Sequence, residues 1–377
     1  MRKLYISTAA SILFALSVSL SAQAQLVLQD SLSFETLVND YFNSGTLVTI
    51  SNITFNGVPA DSINPQIGYF SNGLGDGLQL DNGLVMATSE LSQAVFGDFS
   101  GSLGMENYQD SDIQTLSNVS SVNNCAVLEF DVLVDADMLA FNYIFASTEY
   151  EGFTCSSFND AFGFFVSGPG VQGPYSSSAL NIATIPGSDV PVSINTINQG
   201  FPSSPTNASL CESANPNWQA DTLYYISNNS HENSSMMLNG YTINMEALVD
   251  VVNGETYHMK LAICNALDMA LHSAVFLGAG SFEGRLASST GNMLSNKKTI
   301  LYPNPGSEIL NIENACLDCQ GNLIFVIRDA QGREISSFTR NSAELVQLPV
   351  NQLENGVYFI STWSGKEIIG THKFVKR

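Results

Sequence analysis

Residues 145–170 read FASTEYEGFTCSSFNDAFGFFVSGPG, where Glu149, Glu151 and Asp160 fall among aromatic rings with no Lys or Arg nearby. Two kinds of chemistry use such a set. Residues two apart on a strand point to one face, so Glu149 and Glu151 are expected to converge, with Asn159 and Asp160 approaching from the next turn. Oxygen donors so placed suit Ca²⁺, which takes roughly 6–8 oxygens at about 2.3–2.6 Å, and Asp268 is a further donor. Calcium held by Glu149, Glu151, Asn159, Asp160 and Asp268 is therefore the metal expectation. The competing reading is that these carboxylates are hydrated or bonded to backbone N–H groups, since the spacing matches no EF-hand loop. Asp131 and Asp76 are oxygen donors with only their residue type to recommend them. Paired carboxylates also serve glycoside hydrolysis, with an acid and a nucleophile or base about 5–10 Å apart. That alternative, a secreted hydrolase using Glu149 or Glu151 with Asp160, lacks the Trp-rich cleft usual for sugar stacking, because the chain has only Trp218 and Trp363.

Other catalytic signatures fail, and no catalytic residue is assigned. No HExxH occurs among His231, His258, His272 and His372, and no GxSxG is present. Ser295-Asn296-Lys297-Lys298 fits SxxK only inside a linker. His258 lies on an apolar strand and reads as a sheet histidine. Ser167-Gly168-Pro169-Gly170 has no helix or lysine after it, so it reads as a turn and not a phosphate cradle.

The compartment follows from the N-terminus. Arg2 and Lys3 precede an apolar run from Leu4 to about Leu20, and Ala22-Gln23-Ala24 supplies an A-x-A cleavage signature. Residues 1–24 read as a signal peptide cut between Ala24 and Gln25. The apolar core is short of the roughly 20 residues that span a bilayer, and no later stretch is long enough, so no transmembrane segment is expected in the mature chain.

Charge is spread very unevenly. Residues 25–284 hold 27 Asp and Glu against the single cation Lys260, a net charge of −26, whereas residues 285–377 carry +2. Two domains with different surfaces are expected. The acidic part excludes nucleic acid and anionic lipid as partners, because both need clustered Lys and Arg. It also cannot pair its carboxylates internally. Each must stay hydrated, accept amide hydrogens or coordinate a cation.

Six cysteines in an exported chain favour disulfides. Cys125, Cys155, Cys211 and Cys264 allow three connectivities that sequence alone does not rank; Cys155 with Cys211 and Cys125 with Cys264 is the expectation adopted. Cys316-Leu-Asp-Cys319 has zinc or thioredoxin spacing, but no second CxxC follows and no βαβ pattern surrounds it, so a local bridge or two exposed thiols is expected.

The elements that must position these residues are mostly strands. One helix is expected, with Phe34, Leu37, Val38, Tyr41 and Phe42 on one face, Ser33 as N-cap and Glu35 in the first turn, packed on a sheet edge. Elsewhere short β-rich runs such as AVLEFDVLV, LAFNYIFAS and TYHMKLAIC are separated by Gly, Asn, Pro and Ser. Leu128, Phe130 and Val132 alternate with Glu129, Asp131 and Leu133. The fold class is all-β: a large sandwich or jelly-roll-like domain over residues 25–284 with one N-terminal helix, a small-residue linker over 285–299, and a seven-stranded sandwich tail over 300–377. Residues 197–239, rich in Asn, Ser and Pro, read as a binding loop or insertion.

Two resemblances sharpen this reading. Tyr302-Pro303-Asn304-Pro305, Asp329-Ala330-Gln331-Gly332-Arg333, Leu353-Glu354-Asn355-Gly356-Val357-Tyr358-Phe359-Ile360 and the closing Lys373-Phe374-Val375-Lys376 resemble the type A sorting domain of the type IX secretion system of Bacteroidetes. The resemblance implies an address read by the outer-membrane translocon; a carbohydrate-binding sandwich is the alternative for this tail. The acidic part resembles the choice-of-anchor L domain in Val48–Gly57, Ile67–Gly73, Leu128–Asp131, the 145–170 segment, Asn181–Ala183, Tyr257–Ile263 and Ser273–Leu277. That family has no established enzymatic activity, so the resemblance implies a surface module. Where its pattern tends to carry aspartates this chain has Asn239, Asn265 and His272, which argues against a complete acidic site. Exported proteins of this kind are often O-glycosylated at Asp-Ser/Thr-apolar triplets, which Ser31, Ser62 and Thr222 fit. The function expected is an exported cell-surface or secreted module for adhesion or for binding a glycan or polymer, stiffened by Ca²⁺.

Overall fold

The computed structural model describes residues 25–97, 107–204, 207–232, 234–286, 300–313, 322–329, 333–341, 345–364 and 367–377. The signal peptide with Ala24, most of the linker, Cys316, Cys319 and Gly332 lie outside the described residues. The chain divides into two compact units between Ala287 and Ser288.

The first unit is a pair of antiparallel sheets. A nine-stranded sheet centres on Met138–Ser147, flanked by Ser273–Gly278, Gly240–Thr242, Met245–Asp250 and Glu283–Arg285, with Gly83–Ala87 on the other side of Ser273–Gly278. A six-stranded sheet centres on Val122–Val134 and Thr256–Ala266, with Ala161–Ser167 and Val48–Phe55 beside them. Successive side chains on a strand face opposite ways. Thus Phe141, Tyr143 and Phe145 enter the core shared with Leu128, Phe130 and Val132, and Phe141 meets Phe164 across it with ring centroids 4.2 Å apart. The intervening Ile144 and Ala146 pack in a second cluster with Leu91, Val95 and Met236. On the other sheet Cys125, Val127, Ala262 and Cys264 face a third cluster with Ile113 and Phe165. A strand buried on both faces needs a continuous apolar run, which is why MLAFNYIFAS lacks polar alternation. Glu129, Asp131 and Leu133 point away from the shared core, as their alternation predicts.

Ser33 caps a helical turn at Phe34–Thr36, its Oγ accepting the Thr36 N–H at 3.3 Å. The helix then widens into a π-type segment, Leu37–Phe42, closed by the Asn43 N–H to Val38 O at 2.9 Å. Phe34, Leu37, Val38 and Phe42 are buried in the shared core, and the segment touches strands of both sheets. Short helices at Leu91–Phe96, Ser111–Ser117 and Ala208–Ala214 add to the one expected; at six or seven residues they are too brief to show a period.

The second unit has a three-stranded and a four-stranded sheet, seven strands from Ile300–Tyr302 to Glu367–Lys376. They share a core of Leu310, Ile312, Phe325, Ile327, Tyr358, Ile360 and Phe374.

Candidate functional site

The Met138–Ser147 strand ends before the carboxylates begin, so the two-residue period that would align Glu149 with Glu151 does not apply. Thr148 and Glu149 turn inward. Thr148 exchanges bonds with His272: its N–H donates to His272 O at 2.9 Å and its Oγ1 accepts the His272 N–H at 2.8 Å. Glu149 is 1% exposed, and its Oε2 faces the Asp160 N–H at 3.4 Å. Asp160, equally buried, accepts the Ala266 N–H at 2.8 Å and the Ser273 Oγ–H at 2.7 Å. Burial pushes both acids up. Desolvation, then the charge of Asp160, holds Glu149 well above the usual carboxylate range. Asp160 is pushed up to about 7, because desolvation outweighs its two donors.

The other proposed calcium ligands are spent elsewhere. Glu151, at φ 65°, accepts from Tyr225 Oη at 3.3 Å, from Ser227 Oγ and from Asn229 Nδ2 at 2.8 Å. Asn159 Oδ1 accepts the Asn195 N–H at 2.9 Å. Asp268 accepts the Ala270 N–H at 2.9 Å; its charge raises both buried acids, but it is not bonded to either. Among the described residues no group of three His, Cys, Asp or Glu side chains is placed to hold a metal ion.

Amide and hydroxyl hydrogens serve instead. Asp76 takes Ser234 Oγ–H and the Ser235 N–H at 2.9 and 2.7 Å. Asp110 caps the Ser111–Ser117 helix, and Asp112 takes the N–H and Oγ–H of Ser176 at 2.9 and 2.7 Å. The remaining oxygens of this last pair grip Lys260, whose Nζ is 2.7 Å from Asp110 and 2.6 Å from Asp112. Asp131 is bonded to Asn52 and to His258, which also lies 3.6 Å from Glu129.

Next to Asp160 in sequence, Asn159 lines a cleft of about 500 Å³. Its walls are residues 116–120 at the end of one short helix, Ser156, Ser157 and Asn159, the 191–196 segment, the far side of the Ala208–Ala214 helix, and Leu267. None of the lining residues is charged. Ser117 lines it with its Oγ buried and without a hydrogen-bond partner among the described residues. Disulfides join Cys155 to Cys211 beside this cleft and Cys125 to Cys264 across two central strands, the pairing expected from the sequence. The sequence reading missed the cleft. Its only signal is the run of small polar residues in SNVSSVNN and SINTIN, which looks like ordinary loop until five segments are brought together.

The family profile of the choice-of-anchor L domain matches residues 26–283. The chain belongs to that family. Residues 300–377 match the secretion system C-terminal sorting domain. The choice-of-anchor L protein is thus secreted or displayed at the outer surface, and its tail engages the type IX machinery. No curated protein matches it. Solved structures with some likeness include a β-glucuronidase from Ruminococcus gnavus, at 7% identity and a TM-score of 0.23, covering 66% of this chain and 35% of the other. A β-1,2-glucanase from Parabacteroides distasonis aligns at 7% identity and a TM-score of 0.17, covering 75% of this chain and 34% of that one. The BSP domain of a biofilm associated protein aligns at 8% and 0.19, covering 76% and 53%. Likeness this slight carries no argument about what the choice-of-anchor L protein does.

The remaining sequence candidates take ordinary places. Ser31 is exposed, and Ser62 and Thr222 are half-buried. In the tail, Asn304 bonds Lys373 O and the Val375 N–H at 3.0 and 2.8 Å, tying Tyr302-Pro303-Asn304-Pro305 to the last strand. Gly356 opens the strand in which Tyr358 donates to Glu354 O at 2.9 Å. Asn239, Asn265 and His272 surround the Thr148 turn: Asn239 Nδ2 donates to Thr148 O at 2.6 Å, Asn265 Nδ2 to Leu271 O at 3.2 Å, and His272 Nδ1 meets Ser89 Oγ at 3.1 Å.

Proposed function

We propose that the acidic domain is an extracellular binding module, used for adhesion to a glycan or polymer, and that it does not hydrolyse what it binds. The observation that carries this reading is the 1% exposure of both Glu149 and Asp160. A general acid must come within about 2.6–3.2 Å of the substrate atom it protonates. Glu149 and Asp160 are instead spent on each other and on Ser273 and Ala266, and neither lines the cleft. The choice-of-anchor L membership and the sorting tail support display outside the cell.

Mature protein passed over immobilised extracellular polysaccharides, read for retention and for released sugar, tests the proposal. Retention without release is expected. Sugar release would establish the hydrolase, and failure to be retained on any polymer would end the binding reading.

A further inference from the structure

The cleft lined by Ser117, Asn159 and Leu267 has a composition at odds with the rest of the domain. The acidic part of the chain carries a net charge of −26, yet no Asp, Glu, Lys or Arg lines this cleft. Its polar groups are hydroxyls and amides, which both donate and accept and so match sugar hydroxyls. Between them, Leu116, Val119 and Leu267 offer an aliphatic floor. The volume, about 500 Å³, falls in the range of small-ligand sites, roughly 300–1,000 Å³.

One further observation points to a ligand. Ser117 Oγ is buried without a partner, a cost that a bound acceptor or donor would remove. The Cys155–Cys211 bridge links the wall carrying Ser156 and Ser157 to the wall carrying Leu210 and Ser213, with Trp218 packed on the bridge.

We propose that this cleft binds a neutral, hydroxyl-rich oligosaccharide, with Ser117 as a hydrogen-bonding anchor and the Cys155–Cys211 bridge clamping two of its walls. This rests on the binding reading above and narrows it to one site and one ligand class. A charged sugar would find no counter-charge among the lining groups, and a uronate would also meet the repulsion of the domain around it.

Calorimetric titration with neutral gluco- and galacto-oligosaccharides, a galacturonate series and a neutral Ser/Asn peptide tests it, using the full mature chain. Neutral sugars are expected to bind and the uronates and peptide not to. Ser117→Ala is expected to weaken binding several-fold without lowering the melting temperature, since its buried hydroxyl has no hydrogen-bond partner among the described residues. Ser213→Trp, on an exposed helix position, is expected to abolish binding by filling the cleft. If the polymer is retained but both variants bind as well as the parent, the site assignment is wrong while the binding function stands. Preference for the uronate or the peptide overturns the ligand class. No binding to any sugar or polysaccharide removes the functional reading itself.

Discussion

Oε2 of Glu149 lies 3.4 Å from the backbone N–H of Asp160, and the two carboxyl groups are buried together where the sequence expected oxygen donors around a cation. Neither has a Lys or Arg partner among the described residues. Their raised pKa values mean that the folded protein prefers them protonated.

Stability is therefore expected to depend on pH in a defined direction. An acid whose pKa is higher folded than unfolded stabilises the fold fully below its unfolded pKa, near 3.8 for Asp160, and loses that contribution as pH rises through about 7. Melting temperature should fall between pH 5 and pH 8. Asp160→Asn should flatten that part of the curve; a parent profile that is already flat would show the pair to be ionised without penalty.

Chelation is the complementary measurement. Because Glu151 and Asn159 are bonded to Tyr225, Ser227, Asn229 and Asn195, EDTA should leave the melting temperature unchanged. A loss of several degrees, restored by Ca²⁺, would mean that the donors regroup around a metal.

Lys260 supplies the second prediction about buried charge. Its Nζ bonds Asp110 and Asp112, with side-chain exposures of 12%, 9% and 5%. Lys260→Met leaves two carboxylates unpaired and is expected to cost about 3 kcal/mol in urea unfolding. The double variant Lys260→Met with Asp112→Asn should recover part of that loss. Equal stabilities for the parent and Lys260→Met would show that the pair contributes nothing.

His258 and His272 should show pKa values shifted in opposite directions by NMR. His258 is held above its ordinary value by its bonds to Glu129 and Asp131, and His272 is held below it by burial. The His258 contribution to stability is present below about pH 6.5 and lost as pH rises through its folded value; that of His272 is lost as pH falls. Coincident titrations would contradict the placement of His272 behind Ser89.

Each disulfide closes a long loop, 139 residues for Cys125–Cys264 and 56 for Cys155–Cys211. Chain-entropy arguments give about 5 and about 4 kcal/mol respectively. Replacing both cysteines of a bridge with serine, followed by urea unfolding, should rank them in that order.

Several features were legible in the chain because they are local. Ser33 caps its helix through an i, i+3 contact, and Leu128, Phe130 and Val132 face inward because strand alternation leaves them no choice. The sorting tail is recognisable because its motifs are contiguous. Glu149 and Glu151 were misaligned because the strand ends at Ser147, and nothing in the residue types marks that end.

The sequence by itself determined that a chain with one cation in its acidic part would have to satisfy most of its buried carboxylates with something other than Lys and Arg. Tertiary structure decided what that something is. Asp112 finds Ser176 across 64 positions and Asp160 finds Ser273 across 113, and the cleft gathers residues from Leu116 to Leu267. Contacts between such distant positions depend on which strands pair and in which register, and side-chain chemistry alone leaves that register open.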